Sequence, residues 1–136
     1  MQTEGSCFCG KITFTAEVDP SLVVICHCSD CQVLGGSAFR VTCVVKPEAL
    51  VFRSDDYAVF EKAGDSGNVR RQIFCPVCGT SICSLPAAGE SGGFVSLRVP
   101  PLKHRDELTP RAEIWCRSRV SWLPEIGTDL QLDQQK

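Results

Sequence analysis

Seven of the ten cysteines in this 136-residue chain fall into three short clusters. The first and third clusters are pairs, Cys7-Phe8-Cys9 and Cys75-Pro76-Val77-Cys78, and a glycine directly follows each of them. Tetrahedral zinc holds its sulfur ligands only about 3.8 Å apart, so ligands that are close in sequence must come from a tight turn. Glycine lets such a turn close with a positive φ. The spacing of both pairs therefore indicates turns that bind metal.

Together the two pairs supply four thiolates, which is the number that a closed structural zinc site needs. We expect the four side chains to share one zinc ion, which would join the N-terminal region to a turn more than sixty residues later. Such a site contributes directly to the free energy of folding. This set, which we call the structural cluster, consists of Cys7, Cys9, Cys75 and Cys78.

The middle cluster contains three cysteines, Cys26, Cys28 and Cys31, which we call the trio. Three protein ligands with one open position are typical of catalytic zinc. The alternative is a second structural site with a fourth protein ligand, for which the candidates are Cys43, Cys83, Cys116, His27 and His104. Cys43 and Cys83 lie in apolar runs, where a free cysteine usually packs as a small hydrophobic residue. His27 lies between two members of the trio, so we expect its side chain to point away from the metal.

The overall composition limits the classes of protein that fit. The length suits a single domain, 1–136, in which only the tail 131–136 is polar enough to be loose. The 14 basic and 16 acidic residues give a formal net charge of −2, which argues against a nucleic-acid partner. No apolar run approaches the roughly 20 residues of a membrane span, and the N-terminus lacks a signal-peptide pattern. We therefore expect a cytoplasmic protein without a membrane partner, whose clustered cysteines bind metal.

Short strands separated by turn-rich segments account for most of the remaining sequence. Residues 12–18 alternate apolar and polar side chains, as a half-buried strand does. Further strands are expected at 22–25, 39–45, 49–52, 57–60, 69–74, 94–99 and 113–116. Helix is expected only as short turns at 29–34, 47–50 and 103–108. The pattern indicates a mainly β fold with little helix.

The three clusters resemble the signature of the glutathione-dependent formaldehyde-activating enzyme family, which also includes centromere protein V. The matching segments are Gly5-Ser6-Cys7-Phe8-Cys9-Gly10, Cys26-His27-Cys28-Ser29-Asp30-Cys31 and Phe74-Cys75-Pro76-Val77-Cys78-Gly79-Thr80, and the resemblance covers about residues 3–125. It implies an Mss4-like fold of short antiparallel strands with zinc knuckles and two zinc ions per chain. The structural zinc would lie at the structural cluster and the catalytic zinc at the trio.

The same resemblance implies a carbon–sulfur lyase activity. The reaction would join glutathione and formaldehyde to S-(hydroxymethyl)glutathione, or would act on a related thiol–aldehyde adduct. Glutathione is anionic, so its site needs cationic groups, and the candidates are Arg40, Arg117 and Arg119. The chain departs from the family at Ala112-Glu113, where many members carry a histidine before the C-terminal strand.

Two other functions compete with the enzyme. The implied fold also serves non-enzymatic, zinc-stabilised binding modules, and this is the alternative function. A redox role for Cys75 and Cys78 is weaker, because a redox Cys-x-x-Cys motif normally accompanies a βαβ pattern that this sequence lacks.

Overall fold

The computed structural model describes residues 1–64, 67–90 and 92–135. Within them lie eleven strands and one short α-helix. The strands are β1 (Gln2–Ser6), β2 (Thr13–Glu17), β3 (Val23–Cys26), β4 (Arg40–Val45), β5 (Leu50–Phe52), β6 (Ala58–Ala63), β7 (Val69–Phe74), β8 (Ser81–Pro86), β9 (Val95–Arg98), β10 (Ala112–Ile114) and β11 (Leu130–Gln131). The helix is α1 (Ser29–Gly35), and 3-10 turns lie at Pro20–Leu22, Pro47–Ala49, Arg105–Glu107 and Cys116–Ser118. The prediction of a mainly β fold is confirmed.

The strands form two sheets. A small antiparallel sheet has the order β1-β2-β5, and a large sheet of eight strands has the order β11-β10-β3-β4-β9-β8-β7-β6. Most neighbours are antiparallel, as the sequence predicted, but β10 runs parallel to both β3 and β11. Parallel neighbours need a long connection, and residues 27–111 provide it between β3 and β10. The C-terminal part of the chain therefore lies beside the strand that leads into the trio.

One face of the large sheet packs into the hydrophobic core together with the small sheet. The buried side chains of this core include Ile12, Phe14, Ala16, Val18, Cys43, Ile73, Cys83 and Leu97. Cys43 and Cys83 are both fully buried, which confirms that they pack as core residues. Burial raises the pKa of Cys43 to about 11 and that of Cys83 to about 12, so both remain neutral thiols.

The opposite face of the large sheet is mostly polar, although Val24, Val44 and Phe60 also lie on it. Side chains alternate between the faces of a strand, and directly paired residues share a face. Cys26 is paired with Arg40, and Thr42 is paired with Arg98, so all four lie on the same side. The side chains that continue this face across the sheet are Ser96, Ser84, Gln72, Arg70 and Lys62. We refer to it as the polar face.

An ion pair shows how α1 lies relative to the polar face. The Lys62 Nζ atom on β6 is 2.8 Å from the Asp30 Oδ2 atom on α1. Helix α1 contacts β4, which is four strand positions from β6. With strands about 4.8 Å apart, a flat sheet would separate β4 and β6 by roughly 19 Å. Helix α1 therefore lies over the polar face, and the space between them is referred to below as the cleft.

The short helical turns and the C-terminal tail were also the subject of predictions. The three predicted helical turns are present, each within a few residues of its predicted bounds. The strands β1, β8 and β11 were not predicted. In the tail, the Trp115 N–H donates to Gln134 O at 2.9 Å and the Cys116 N–H donates to Leu132 O at 3.0 Å, so this part of the tail is attached. Lys136 lies outside the described residues.

No helix in the part of the chain that the structure describes is long and apolar enough to cross a membrane.

Candidate metal centres and active-site cleft

Two tight turns bring the structural cluster together. In the first turn the Gly10 N–H donates to Cys7 O at 3.2 Å, and in the second the Gly79 N–H donates to Cys75 O at 2.9 Å. Gly10 has a φ of 85° and Gly79 a φ of 79°, in the region where residues with a Cβ are strained. The prediction that glycine closes both turns is confirmed.

The sulfur positions in the structural cluster fit a tetrahedral metal ion. All four Sγ atoms lie within 4.8 Å of one another. The Cys9 Sγ atom is 3.7 Å from the Sγ atoms of Cys7 and Cys75, against about 3.8 Å expected around zinc. The Ile12 N–H donates to the Cys7 sulfur at 3.2 Å, and the Val77 N–H donates to the Cys75 sulfur at 3.4 Å. Because such bonds favour the thiolate form, the donor set can bind a metal ion.

The trio lies where β3 ends and α1 begins. Cys26 is the last residue of β3, Cys28 caps the N-terminus of α1, and Cys31 is in the first turn of the helix. The three Sγ atoms lie within 4.8 Å of one another. Among residues 1–64, 67–90 and 92–135, no further Cys, His, Asp or Glu ligand atom comes within this distance of all three. The structure therefore brings together three sulfur ligands without a fourth from these residue types.

The three thiols of the trio shift one another's pKa values. Hydrogen bonds from the thiols of Cys26 and Cys31 are the largest influences on the pKa of Cys28, and they lower it well below its usual range. The Cys31 N–H, 3.3 Å from the Cys28 sulfur, and the positive charge of Lys62 act in the same direction. The hydrogen bond to Cys28 is likewise the main reason why the pKa of Cys26 is raised. The three sulfurs thus converge on one point, as a metal site requires.

A third group of potential ligands consists of His27, Glu113 and Cys116, whose ligand atoms lie within 4.8 Å of one another. The His27 ring is fully buried, and its Nε2 atom is 2.8 Å from Glu113 Oε1. The other oxygen of this carboxylate accepts a hydrogen bond from the Thr128 hydroxyl. Glu113 is therefore a buried partner of His27. The His27 side chain is directed to Glu113, and it is not grouped with the trio.

The C-terminal segment also holds the backbone of the turn that contains the trio. The His27 N–H donates to Ile114 O at 3.0 Å. The Gln32 side-chain amide donates to His27 O at 2.8 Å and to Ser118 O at 3.0 Å. Residues 113–118 thus support this turn, a role that the sequence did not reveal.

We expect the substitution Glu113→Gln to lower the free energy of unfolding by about 1 to 3 kcal/mol, because it weakens a buried charged hydrogen bond. Burial, the largest influence, acts to raise the pKa of Glu113, but hydrogen bonds from Thr128 and His27 hold it below its usual value. The carboxylate is therefore ionised at neutral pH. Urea unfolding of the metal-loaded protein measures the loss.

The matched control for this substitution is Asp129→Asn. Asp129 is 79% exposed and lies 3.9 Å from Arg111, so its change should stay within about 0.5 kcal/mol. Equal losses in the two variants would contradict a special role for the buried pair.

The structure places the three arginines predicted to bind substrate in two regions. Arg40 is directly opposite Cys26, and its charge acts to lower the pKa of Cys31, on which the trio's own hydrogen bonds have the largest influence. Arg117 donates two hydrogen bonds to Asp133, at 2.7 and 3.0 Å. Arg119 donates to the carbonyl oxygen of Pro124. Arg40 is therefore the one next to the trio, and substrate binding by Arg40, Arg117 and Arg119 stays a prediction.

Three further cations of the polar face, Arg98, Lys62 and Arg70, were not predicted. Arg98 is 4% exposed and donates to Gln72 Oε1 at 3.0 Å, while Lys62 reaches across to Asp30 on α1. A signal for Arg98 was present, since Arg98 and Ser96 occupy alternate positions in an otherwise apolar strand. Lys62 carried no comparable signal, because its ion pair joins segments that are distant in sequence.

Clusters of cysteines whose geometry could hold metal ions, on a mainly β framework, define the class of protein. The chain belongs to the family of the glutathione-dependent formaldehyde-activating enzyme, which it matches over residues 2–118. The family predicted from the three cysteine clusters is thereby confirmed.

Two similar proteins extend this comparison. An uncharacterized lyase of Schizosaccharomyces pombe is 29% identical over 94 residues, a match that covers 68% of this chain and 64% of the relative. The match therefore spans less than two thirds of that protein's length. A crystal structure of a Rhodobacter sphaeroides protein matches with a TM-score of 0.60 and 17% identity, covering 79% of this chain and 96% of that one. At this identity the likeness shows the fold alone.

Proposed function

We propose that this protein is a zinc-dependent carbon–sulfur lyase that forms S-(hydroxymethyl)glutathione or acts on a related thiol–aldehyde adduct. One observation carries the proposal, namely that the trio brings three sulfurs together without a fourth Cys, His, Asp or Glu ligand from the described residues. The family description and the name of the yeast relative, which is called a lyase, support it.

We propose one zinc ion at the structural cluster and a second at the trio, because an all-thiolate donor set suits zinc. A zinc ion held by the trio would leave one coordination position for a substrate thiol and lower the pKa of that thiol. The role of Cys26, Cys28 and Cys31 is to hold this ion at the edge of the cleft. Arg40 and Lys62 partly compensate the negative charge that the three thiolates bring.

The reaction needs little acid–base chemistry. The thiol loses its proton, and its sulfur forms a bond to the aldehyde carbon. The thiol proton passes to water, the π electron pair of the carbonyl moves to the oxygen, and this oxygen takes one proton back from water, so atoms and charge balance. The protein has only to bind the thiol with its sulfur at the trio and leave room for a small aldehyde. We also propose a cytoplasmic location, because thiolate ligands require reduced cysteines.

We expect the zinc-loaded protein to accelerate the exchange between free formaldehyde and S-(hydroxymethyl)glutathione in proportion to protein concentration. The reason is that a bound thiolate is a far better nucleophile than the neutral thiol. Two-dimensional NMR exchange spectroscopy measures the rate against a protein-free blank. The matched control is the zinc-loaded variant Cys28→Ser, which keeps the structural cluster.

A rate equal to the blank at every protein concentration would overturn the assignment to glutathione. If small thiols other than glutathione also showed no acceleration, the alternative function as a zinc-stabilised binding module would take its place.

A further inference from the structure

The buried guanidinium group of Arg40 lacks partners. The side chain is only 9% exposed, and its Nε and Nη2 atoms have no hydrogen-bond acceptor within the described residues. None of the ion pairs found in that part of the chain includes Arg40. Leaving buried charged donors unpaired is costly, so such groups normally have a partner. An unpartnered buried arginine beside a metal site points to an anionic ligand.

Arg98 adds a second positive charge on the same face. Its guanidinium donates only to neutral acceptors, which are Gln72 Oε1, Ser81 Oγ, and the carbonyl and hydroxyl oxygens of Ser96. Burial, followed by the charge of Arg40, lowers the pKa of Arg98 to about 10, so it remains protonated at neutral pH. As diagonal neighbours on adjacent strands, the two residues are about 7 to 8 Å apart.

The net charge of the cleft favours the binding of an anion. Three thiolates and one zinc ion would carry a net charge of −1, and Arg40 and Arg98 carry +2. Arg70, which donates to neutral oxygens of Ser84 and Phe94, adds a further positive charge on the same face. The Lys62–Asp30 ion pair is neutral. The cleft would therefore keep a positive charge when the trio holds zinc, until an anionic group enters.

The position of Arg40 determines how far a bound anionic group can lie from the substrate sulfur. Arg40 is paired directly with Cys26 across adjacent strands, which places the two backbones about 5 Å apart. A Cβ atom built on Gly35, at the end of α1, would lie 3.6 Å from Arg40 Nε. The guanidinium group thus lies between the strand and the end of the helix that carries the trio. An anion bound to it would be close to a sulfur atom bound at the trio.

We infer that Arg40, supported by Arg98, forms a carboxylate-binding subsite beside the trio, and that the substrate thiol carries a carboxylate only a few bonds from its sulfur. A planar guanidinium group can bind a carboxylate through two parallel hydrogen bonds. Arg98 is held by its neutral partners and adds positive charge to the subsite. The inference rests on the proposed function for the place of the sulfur. Either a small mercapto acid or the glycyl carboxylate of glutathione can supply the required group.

Calorimetric binding to the zinc-loaded protein tests the subsite with mercaptoacetate and its neutral amide, mercaptoacetamide. We expect the ratio of their affinities, acid over amide, to fall at least tenfold in Arg40→Met relative to the wild type, because a charge-assisted hydrogen bond is lost. Comparing the ratio between proteins cancels the different acidities of the two thiols. The matched control is Arg53→Met, at an exposed arginine outside the cleft, which should leave the ratio unchanged.

A second pair of ligands, glutathione and its glycyl ethyl ester, distinguishes the two sources of the carboxylate. A tenfold fall for the small acid identifies a mercapto-acid substrate, and a fall for the glutathione pair alone identifies the glycyl carboxylate. Both results support the subsite. Unchanged ratios for both pairs in Arg40→Met would overturn it.

Circular dichroism shows whether Arg40→Met folds, and we expect it to fold because Arg40 belongs to neither cysteine cluster and to none of the ion pairs found among the described residues. If it does not fold, Arg40→Gln is measured in the same way, with the same expected fall and the same overturning result. A different result would contradict the proposed function without contradicting the subsite. If no thiol gives turnover but the carboxylate preference still depends on Arg40, the subsite stands without the lyase.

Discussion

The substitution Cys75→Ser is expected to unfold the protein at physiological temperature. Cys75 is fully buried, and its sulfur accepts hydrogen bonds from the backbone N–H groups of Val77 and Cys78. Structural zinc sites contribute an apparent 10 to 16 kcal/mol, about as much as the entire stability of a typical domain at roughly 5 to 15 kcal/mol. Circular dichroism and zinc content together measure the effect, and we expect loss of the β-sheet signal and of bound zinc.

Cys43→Ala is the matched control for this substitution. Cys43 is equally buried, but it lies in the core and belongs to none of the potential metal-ligand groups found among the described residues. Removing its sulfur should cost about 1 kcal/mol and leave the zinc content unchanged. If Cys75→Ser kept both the melting temperature and the zinc content of the wild type, the structural cluster would not stabilise the fold through metal.

The substitution Cys28→Ser should have the largest effect on activity while leaving the fold intact. We expect the exchange rate to fall to the uncatalysed rate and the zinc content to fall from two ions to one. The fold should survive because Cys28 is only half-buried and lies at the cleft, away from the hydrophobic core. Exchange spectroscopy, zinc content and thermal unfolding are measured on the same sample.

Cys116→Ser serves as the control for Cys28→Ser. Cys116 is also half-buried, but it belongs to the group with His27 and Glu113 and not to the trio. This variant should keep both zinc ions and most of the activity. A Cys28→Ser protein that exchanged at the wild-type rate with a single zinc ion would place the chemistry outside the trio.

The cysteine turns could be predicted because their geometry is local. A pair of cysteines followed by a glycine defines a tight turn whatever the remainder of the chain does, and Gly10 and Gly79 have the expected positive φ. The convergence of the first and third clusters could also be predicted, because four thiolates complete one zinc site. The surroundings of the trio could not, since the proximity of Arg98 and Lys62 depends on strand register.

Strand β1 could not be predicted either, because its burial depends on a residue outside the strand. The strand consists of polar residues and Gly5, so it lacks the alternation that marks a half-buried strand. In the fold the ring of Phe14 covers Gly5 so closely that a Cβ atom there would lie 2.0 Å from it. Phe14 on β2 therefore covers this strand at Gly5. The sequence pattern of residues 2–6 does not reveal this contact.

The support of the trio by residues 113–118 determines when this centre can form during protein synthesis. The ribosome delivers all three cysteines by residue 31, but the segment that fixes their turn follows about 80 residues later, after roughly 4 to 16 s of translation. An unfinished chain already carries the metal-binding thiols but not the hydrogen bonds to Ile114 and Ser118. The geometry of the cleft is thus completed only after nearly the whole chain has been made, which keeps partial translation products from reaching the finished arrangement.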